Sequence, residues 1–261
     1  MIYSVVTQDS IRLIVNQTLE YGYPIEEHNV TTSDGYILTM HRIPHGRNDT
    51  YTPDRPVIFH LHGLFDSSDS MVAHGPDLSP AYYLANVGYD VWLANQRGNK
   101  YALAHVSLNI SQPQFWNFSI SSTLNDSQAS IEYIRNHTNS DKIIASGHSF
   151  GNTGILAAIT ADNDWYRDRI SFFVALAPLT RCYHANSPVL RFFENARLIF
   201  ITLRKIGIYS LMPEGALANP LYYAACRISP CICQIGEVLV SEAEPYLDDQ
   251  DAVDTCFRAF P

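Results

Sequence analysis

Gly147-His148-Ser149-Phe150-Gly151 constrains this chain more than any other stretch, because of the segments on either side of it. Lys142-Ile143-Ile144-Ala145-Ser146 reads as a short buried strand, and Asn152 through Thr160 as a helix of small and apolar residues. A G-x-S-x-G turn between a strand and a helix holds its serine in a strained backbone conformation. Its glycines are needed because the two elements pass close together there. The pentapeptide alone is weak, since composition places one in about one chain in twenty of this length. The strand before it and the helix after it make it a strong signal for an exposed serine nucleophile.

The same alternation of strand and helix runs through the first 178 residues. Residues 25–31 and 36–43 read as two strands joined by a turn at Ser33-Asp34-Gly35. Val57-Ile58-Phe59-His60-Leu61 is a continuous apolar strand of the kind found deep in a parallel sheet. A helix from about Ser79 to Asn86 leads to a strand at Asp90–Ala94, and a second helix is expected from about Ser127 to His137 with Asp126 as its cap. Ile170 to Ala177 is one more buried strand. The pattern predicts an α/β fold with a mostly parallel sheet.

From about Leu179 the character changes. Residues 189–205 read as an amphipathic helix with Leu190, Phe193, Ala196, Leu198 and Ile201 on one side. Proline-punctuated short helices and an acidic tail, Glu242 to Asp254, follow. The expected organisation is a core over 1–178 and a helical cap over 179–261.

Composition excludes several classes. The 261 residues carry a formal charge of −9 and no basic run, which argues against nucleic acid. No stretch approaches the length of a transmembrane span, so no integral membrane segment is expected. Met1-Ile2-Tyr3-Ser4-Val5-Val6 lacks the charged start and apolar core of a signal peptide. Yet seven N-x-S/T sequons begin at Asn16, Asn29, Asn48, Asn109, Asn117, Asn125 and Asn136. Chance supplies roughly two from such a composition. Either the chain is secretory or it is simply rich in Asn and Ser. Cys182, Cys226, Cys231, Cys233 and Cys256 cluster in the later part, which suits disulfides with one thiol spare. A metal site at Cys231-x-Cys233 is the weaker alternative, with no further pair at zinc spacing nearby. Neither cofactor nor metal is expected.

A serine nucleophile needs a positioned base, and an ester substrate needs backbone N–H donors aimed at its oxyanion. One donor is the N–H of Phe150. The second belongs on the loop after the strand at 57–61, where His60-Leu61-His62-Gly63-Leu64 places a flexible Gly63 before the Leu64 N–H. A metal-binding His-x-His and a plain loop are the competing readings of that segment.

Taken together these motifs resemble the acid lipases, the gastric and lysosomal enzymes of the α/β-hydrolase fold and their relatives. The resemblance runs from about Tyr21 onward. It rests on Gly22-Tyr23-Pro24, Thr32-Ser33-Asp34-Gly35-Tyr36-Ile37-Leu38, His41-Arg42-Ile43-Pro44, His62-Gly63-Leu64, Asn95-Gln96-Arg97-Gly98-Asn99, Phe115-Trp116-Asn117-Phe118-Ser119 and the Gly147–Gly151 turn, in the family's order. It implies a secreted or lysosomal esterase of triacylglycerols or sterol esters, in transient contact with a lipid interface. Its nucleophile is Ser149, and Leu64 and Phe150 form the oxyanion hole. Asn95 to Asn99 and Trp116 are expected to frame the site rather than to react.

Two departures stand out. Phe150 replaces the family's usual Gln, which spares the backbone donor and alters the packing beside it. The family's late Asp and His have no counterpart here: the only histidine after Ser149 is His184, and Asp162, Asp164, Asp168 and the Asp248–Asp254 cluster lack a strand-end context. The resemblance therefore implies a truncated member, missing the last strands and the triad acid and base, with 170–176 as an uncovered apolar edge. A non-catalytic lipid-binding relative and a fragment completed by a second chain are the alternatives.

Overall fold

The computed structural model describes residues 14–180, apart from 65, 120 and 121, and residues 201, 202, 204 and 205. Those last four are helical and belong to the helix expected over 189–205. The five cysteines, His184 and the acidic tail lie outside the described residues. Everything that follows belongs to the first of two compact units, Met1–Thr180.

The chain opens with α1 (Ile14–Glu20), then β1 (Glu26–Thr31), β2 (Tyr36–Ile43) and β3 (Val57–Leu61). After a 3₁₀ turn at Ser68–Met71 come α2 (Pro80–Asn86), β4 (Asp90–Ala94) and the two-residue β5 (Ala104–His105). The series closes with α3 (Thr123–Thr138), β6 (Ile143–His148), α4 (Phe150–Ala161), α5 (Asn163–Arg167) and β7 (Ile170–Leu176). These form one mixed sheet in the order β1-β2-β4-β3-β6-β7, with β5 added to β2. The pairs β4–β3, β3–β6 and β6–β7 are parallel, whereas β1–β2 and β2–β4 are antiparallel.

The apolar runs at β3 and β4 follow from covering both faces of the sheet. Every residue of the two strands is buried, and successive side chains enter opposite cores. Val57, Phe59, Leu61 and Trp92 join Ile131, Ile134 and Ile155 of α3 and α4. Ile58, Val91 and Leu93 join Ile14, Tyr82 and Ala85 of α1 and α2. Among the described residues no helix is long and apolar enough to cross a membrane.

The two sheet edges differ in chemistry. β1 exposes Glu26, Glu27, Asn29 and Thr31. On β7, which pairs among the described residues with β6 alone, Phe172 is 64% and Leu176 45% exposed. Charged edges resist strand addition; apolar ones do not.

Two expectations are corrected. The segment from Ile170 is a strand as read, but none of the residues of β7 is buried. Asp126 does not cap a helix beginning at Ser127: α3 starts at Thr123, and Asp126 is buried in its first turn. Its carboxylate accepts two hydrogen bonds from Arg97 Nε, at 2.9 and 3.0 Å, and one from Nη2 at 2.5 Å. A buried guanidinium takes a carboxylate in preference to leaving it to free backbone N–H groups, and an acid in the first turn still suits the helix dipole. The helix boundary at Asp162 works differently, since that carboxylate does cap α5 through Trp165 N–H at 3.3 Å. Urea unfolding separates the two roles. Asp126→Ala, which strands part of a buried ion pair, is expected to cost about 3 kcal/mol, and Asp162→Ala about 1 kcal/mol.

Candidate active site

Ser149 sits between β6 and α4 with φ 50° and ψ −115°, a left-handed conformation that a non-glycine residue adopts only when its surroundings enforce it. Its N–H donates to Leu176 O at the end of β7 (3.0 Å), and its carbonyl accepts the Asn152 N–H (3.1 Å). The Asn152 side-chain amide also reaches Leu176 O, at 2.6 Å. Thr153 Oγ1 donates to Leu179 O just beyond. The turn is thus sewn to the neighbouring strand rather than merely tight.

The glycines of the turn are there because a Cβ would run into backbone, and at Gly147 also into Asn152 Oδ1 at 2.8 Å. A Cβ on Gly151 would lie 2.3 Å from Leu61 O and 2.6 Å from His62 O, the carbonyls that end β3. A Cβ on Gly147 would meet the Asn152 backbone N at 2.9 Å. On the other side, a Cβ on Gly63 would stand 3.1 Å from His148 Nδ1 and 3.5 Å from Ser149 Cβ. The loop after β3 therefore runs directly beside the serine. Leu64, 55% exposed, follows on that loop, and Phe150 begins α4, where helix N–H groups have no intrahelical acceptor. The structure places Ser149 and Phe150 at the turn and brings Gly63, the residue before Leu64, beside the serine.

Two histidines near this turn, His60 and His62, are structural. His60 bonds Ser146 Oγ at 3.1 Å across the β3–β6 pair, and burial pushes its pKa down to about 4. His62 is buried too, with Nδ1 on Gly63 O at 2.8 Å and Nε2 accepting the Gln96 N–H at 3.1 Å. Accepting at Nε2 puts the ring proton on Nδ1 and keeps the ring neutral; burial lowers its pKa in the same sense. These bonds leave the His-x-His pair serving backbone and Ser146 rather than a shared ion. Among the described residues one trio has metal-ligand spacing, Glu26, His28 and His137, with donor atoms within 4.8 Å of one another. There Arg42 Nη1 already bridges Glu26 at 2.9 Å and His137 at 3.2 Å, so a cation occupies the cluster.

Among the described residues no histidine or carboxylate hydrogen-bonds the Ser149 hydroxyl. Asp162 caps α5, and Asp164 pairs with Arg167 at 3.0 Å, with Asp168 3.8 Å from the same guanidinium. His184 and the Asp248–Asp254 cluster fall outside the described set.

Arg97, in the segment expected to frame the site, is held by partners the sequence did not reveal. Besides Asp126 it holds Asp34 through Nη1 (2.6 Å) and Nη2 (3.0 Å), and it stacks 4.0 Å over the Tyr36 ring. Partial burial works against the Asp34 charge, yet the Arg97 and Thr32 hydrogen bonds hold its pKa down at about 2. Gly98 follows with φ 84°, where a Cβ would meet Phe118 at 2.8 Å and Trp116 at 3.4 Å. Trp116 Nε1 donates to Ile110 O at 2.7 Å, which ties the loop onto itself. The pairing of Asp34 and Asp126 with Arg97 carries no local sequence signal, because each meets Arg97 only through the fold.

With this geometry in hand, two family models match. Residues 14–75 match a partial alpha/beta-hydrolase lipase region, and residues 56–198, more than half of the chain, match the alpha/beta hydrolase fold. The chain belongs to the α/β-hydrolase family. Its relatives within that family are the acid lipases. Lipase member K of Homo sapiens is 36% identical over 188 residues, covering 71% of this chain and 47% of that protein. Gastric triacylglycerol lipase of Bos taurus is 40% identical, covering 66% and 44%. Lysosomal acid lipase/cholesteryl ester hydrolase of Macaca fascicularis is 35% identical, covering 81% and 53%. The chain spans about half the length of the curated relatives it matches.

Two outcomes follow for this α/β-hydrolase chain. Gly151→Ala, with its methyl driven into two backbone carbonyls, is expected to lower stability by more than about 3 kcal/mol or to abolish folding, read by circular dichroism and thermal melting. Stability should also fall in acid. His41, like His60, is held near pKa 4 by burial, against 6.5 for an ordinary histidine. Between those values the unfolded chain binds more protons than the folded one. The stability is therefore full above about pH 6.5 and declines toward pH 4, by about 3 kcal/mol per histidine. Denaturant midpoints measured across that range check it, and replacing His60 with Asn should flatten the decline.

Proposed function

We propose that this chain carries the acyl-transfer machinery of a serine ester hydrolase of the acid-lipase type, acting on neutral lipids such as triacylglycerols or sterol esters. One observation carries the reading: Ser149 is held at φ 50° on the strand-to-helix turn, with the Gly63 loop alongside. In this reading Ser149 Oγ attacks the ester carbonyl, the Leu64 and Phe150 N–H groups stabilise the oxyanion, and the alcohol leaves an acyl-enzyme that water hydrolyses. Each such donor typically contributes a factor of about 10²–10³ in rate.

The secretory or lysosomal setting is part of the same proposal. It is supported by the sequons, since six of the seven asparagines are exposed and Asn125 is half-buried. Contact with lipid is then transient and interfacial. The division into a hydrolase core over 1–178 and a helical cap over 179–261 is likewise proposed, on the change in sequence pattern near Leu179.

A second reading is favoured by the missing partner of Ser149: among the described residues nothing is placed to take its proton. A lipid-binding relative without turnover, or a chain completed by a second polypeptide bearing the acid and base, accounts for that. A fluorophosphonate probe separates the cases. Stoichiometric labelling that disappears in Ser149→Ala supports catalysis by this chain. Folded protein that does not label loses that reading. Labelling that appears only on co-expression with the C-terminal half of an acid lipase supports completion in trans.

A further inference from the structure

The loop that carries Gly63 and Leu64 is gripped at both ends by one short segment that follows β4. At its start, His62 Nε2 accepts the Asn99 side-chain N–H at 3.0 Å, in addition to the Gln96 backbone N–H. Gln96 Nε2 donates to His62 O at 2.8 Å. At its end, Asn95 Oδ1 accepts the Ser68 N–H at 3.0 Å, and Asn95 Nδ2 donates to Ser68 Oγ at 3.1 Å. Asn99 Nδ2 then closes the circuit by donating to Asn95 Oδ1 at 2.8 Å. The orientation of its amide is determined by a fourth bond, because Asn99 Oδ1 accepts the Tyr101 N–H at 2.9 Å. Turned over, the amide would face the His62 lone pair and the Asn95 carbonyl oxygen with an acceptor. His62, Ser68 and Asn95 are each no more than 3% exposed, so water is not available to replace these bonds.

We propose that Asn99 is a positioning residue for the Leu64 N–H, acting through His62 at one end of the loop and through Asn95 and Ser68 at the other. The inference deepens the esterase reading and rests on it only in naming that N–H an oxyanion donor. An oxyanion donor stabilises charge only if it is already aimed before the reaction. Leu64 has an exposed side chain to hold it and a glycine before it, so the aim must come from the loop ends. Asn99 contributes the one side chain that touches both grips. Fixing the His62 tautomer is part of the same function: with its Nε2 occupied by two donors, the ring must donate from Nδ1 to Gly63 O. The charged groups facing this ring are Asp66 and Asp69, with His60 behind it.

The test reads the loop directly and needs no turnover. In ¹⁵N-labelled protein, long-range ¹H–¹⁵N correlations of His62 are expected to show a neutral ring protonated at Nδ1 at pH 6.5. Asn99→Asp turns a donor into a charged acceptor facing Nε2, and should convert His62 at that pH to the doubly protonated form. Asn99→Ala should keep the fold and raise amide hydrogen exchange by about tenfold at the two grips of the loop, the effect of one buried hydrogen bond. These are Gln96, whose N–H donates to His62 Nε2, and Ser68, whose N–H donates to Asn95 Oδ1. A wild-type ring protonated at Nε2 overturns the proposal whether or not the variants fold. So do folded variants with His62 and these two amides unchanged. Fluorophosphonate labelling of Ser149 remains a separate measurement, so loss of the esterase reading leaves the clamp itself standing, and loss of the clamp leaves that reading intact.

Discussion

The close approach of the start of α4 to the end of β3 is the constraint on which the rest of this structure depends. With Gly151 against the carbonyls of Leu61 and His62, no side chain fits between helix and strand. That contact forces the chain to turn at the single residue between β6 and α4, and the strain is taken up there, at Ser149. Bonds from Ser149 and Asn152 to Leu176 O carry the load into β7. The same contact brings the Gly63 loop beside the serine, because that loop begins where β3 ends. One glycine therefore sets the position of a helix, a loop and a strand end together.

Around this turn the buried polar groups are satisfied by one another. Arg42 spans Asp90, Glu26 and His137, and joins β2 to β4, β1 and α3. Arg97 spans Asp126 and Asp34, and joins the loop after β4 to α3 and the β1–β2 turn. Such pairs add little net stability against well-packed apolar residues, since desolvation offsets their attraction. Their effect here is geometric, because a guanidinium with two carboxylates permits only one arrangement of the segments that bear them. The buried histidines act likewise as neutral hydrogen-bonding rings, at the expense of stability in acid.

The sheet is asymmetric in a way that bears on function. Its β1 edge displays carboxylates and Asn29, whereas its β7 edge displays Phe172 and Leu176. The strand end that stabilises Ser149 thus belongs to the strand whose large exposed side chains, among the described residues, are apolar.

Local information was enough for much of this. The continuous burial of β3 and β4, the helix after Gly151 and the loop beside Ser149 were legible at Val57–Leu61, Asp90–Ala94, His62–Leu64 and the Gly147–Gly151 turn, because each is governed by neighbours in sequence. The two-residue β5 was not legible, since its pairing with Tyr36 and Ile37 comes from a strand more than sixty residues away. Asp126 reads locally as a helix cap and becomes the partner of Arg97 only once α3 packs beside the loop after β4. Asn95 and Asn99 are polar loop residues in sequence, and a two-ended clamp in space. By itself the sequence determined the family, the strained serine and the segments that flank it, for these follow from backbone sterics over a few residues. Only the tertiary structure decided which buried charges pair and what holds the loop beside Ser149, for a hydrogen bond between distant residues has no local signature.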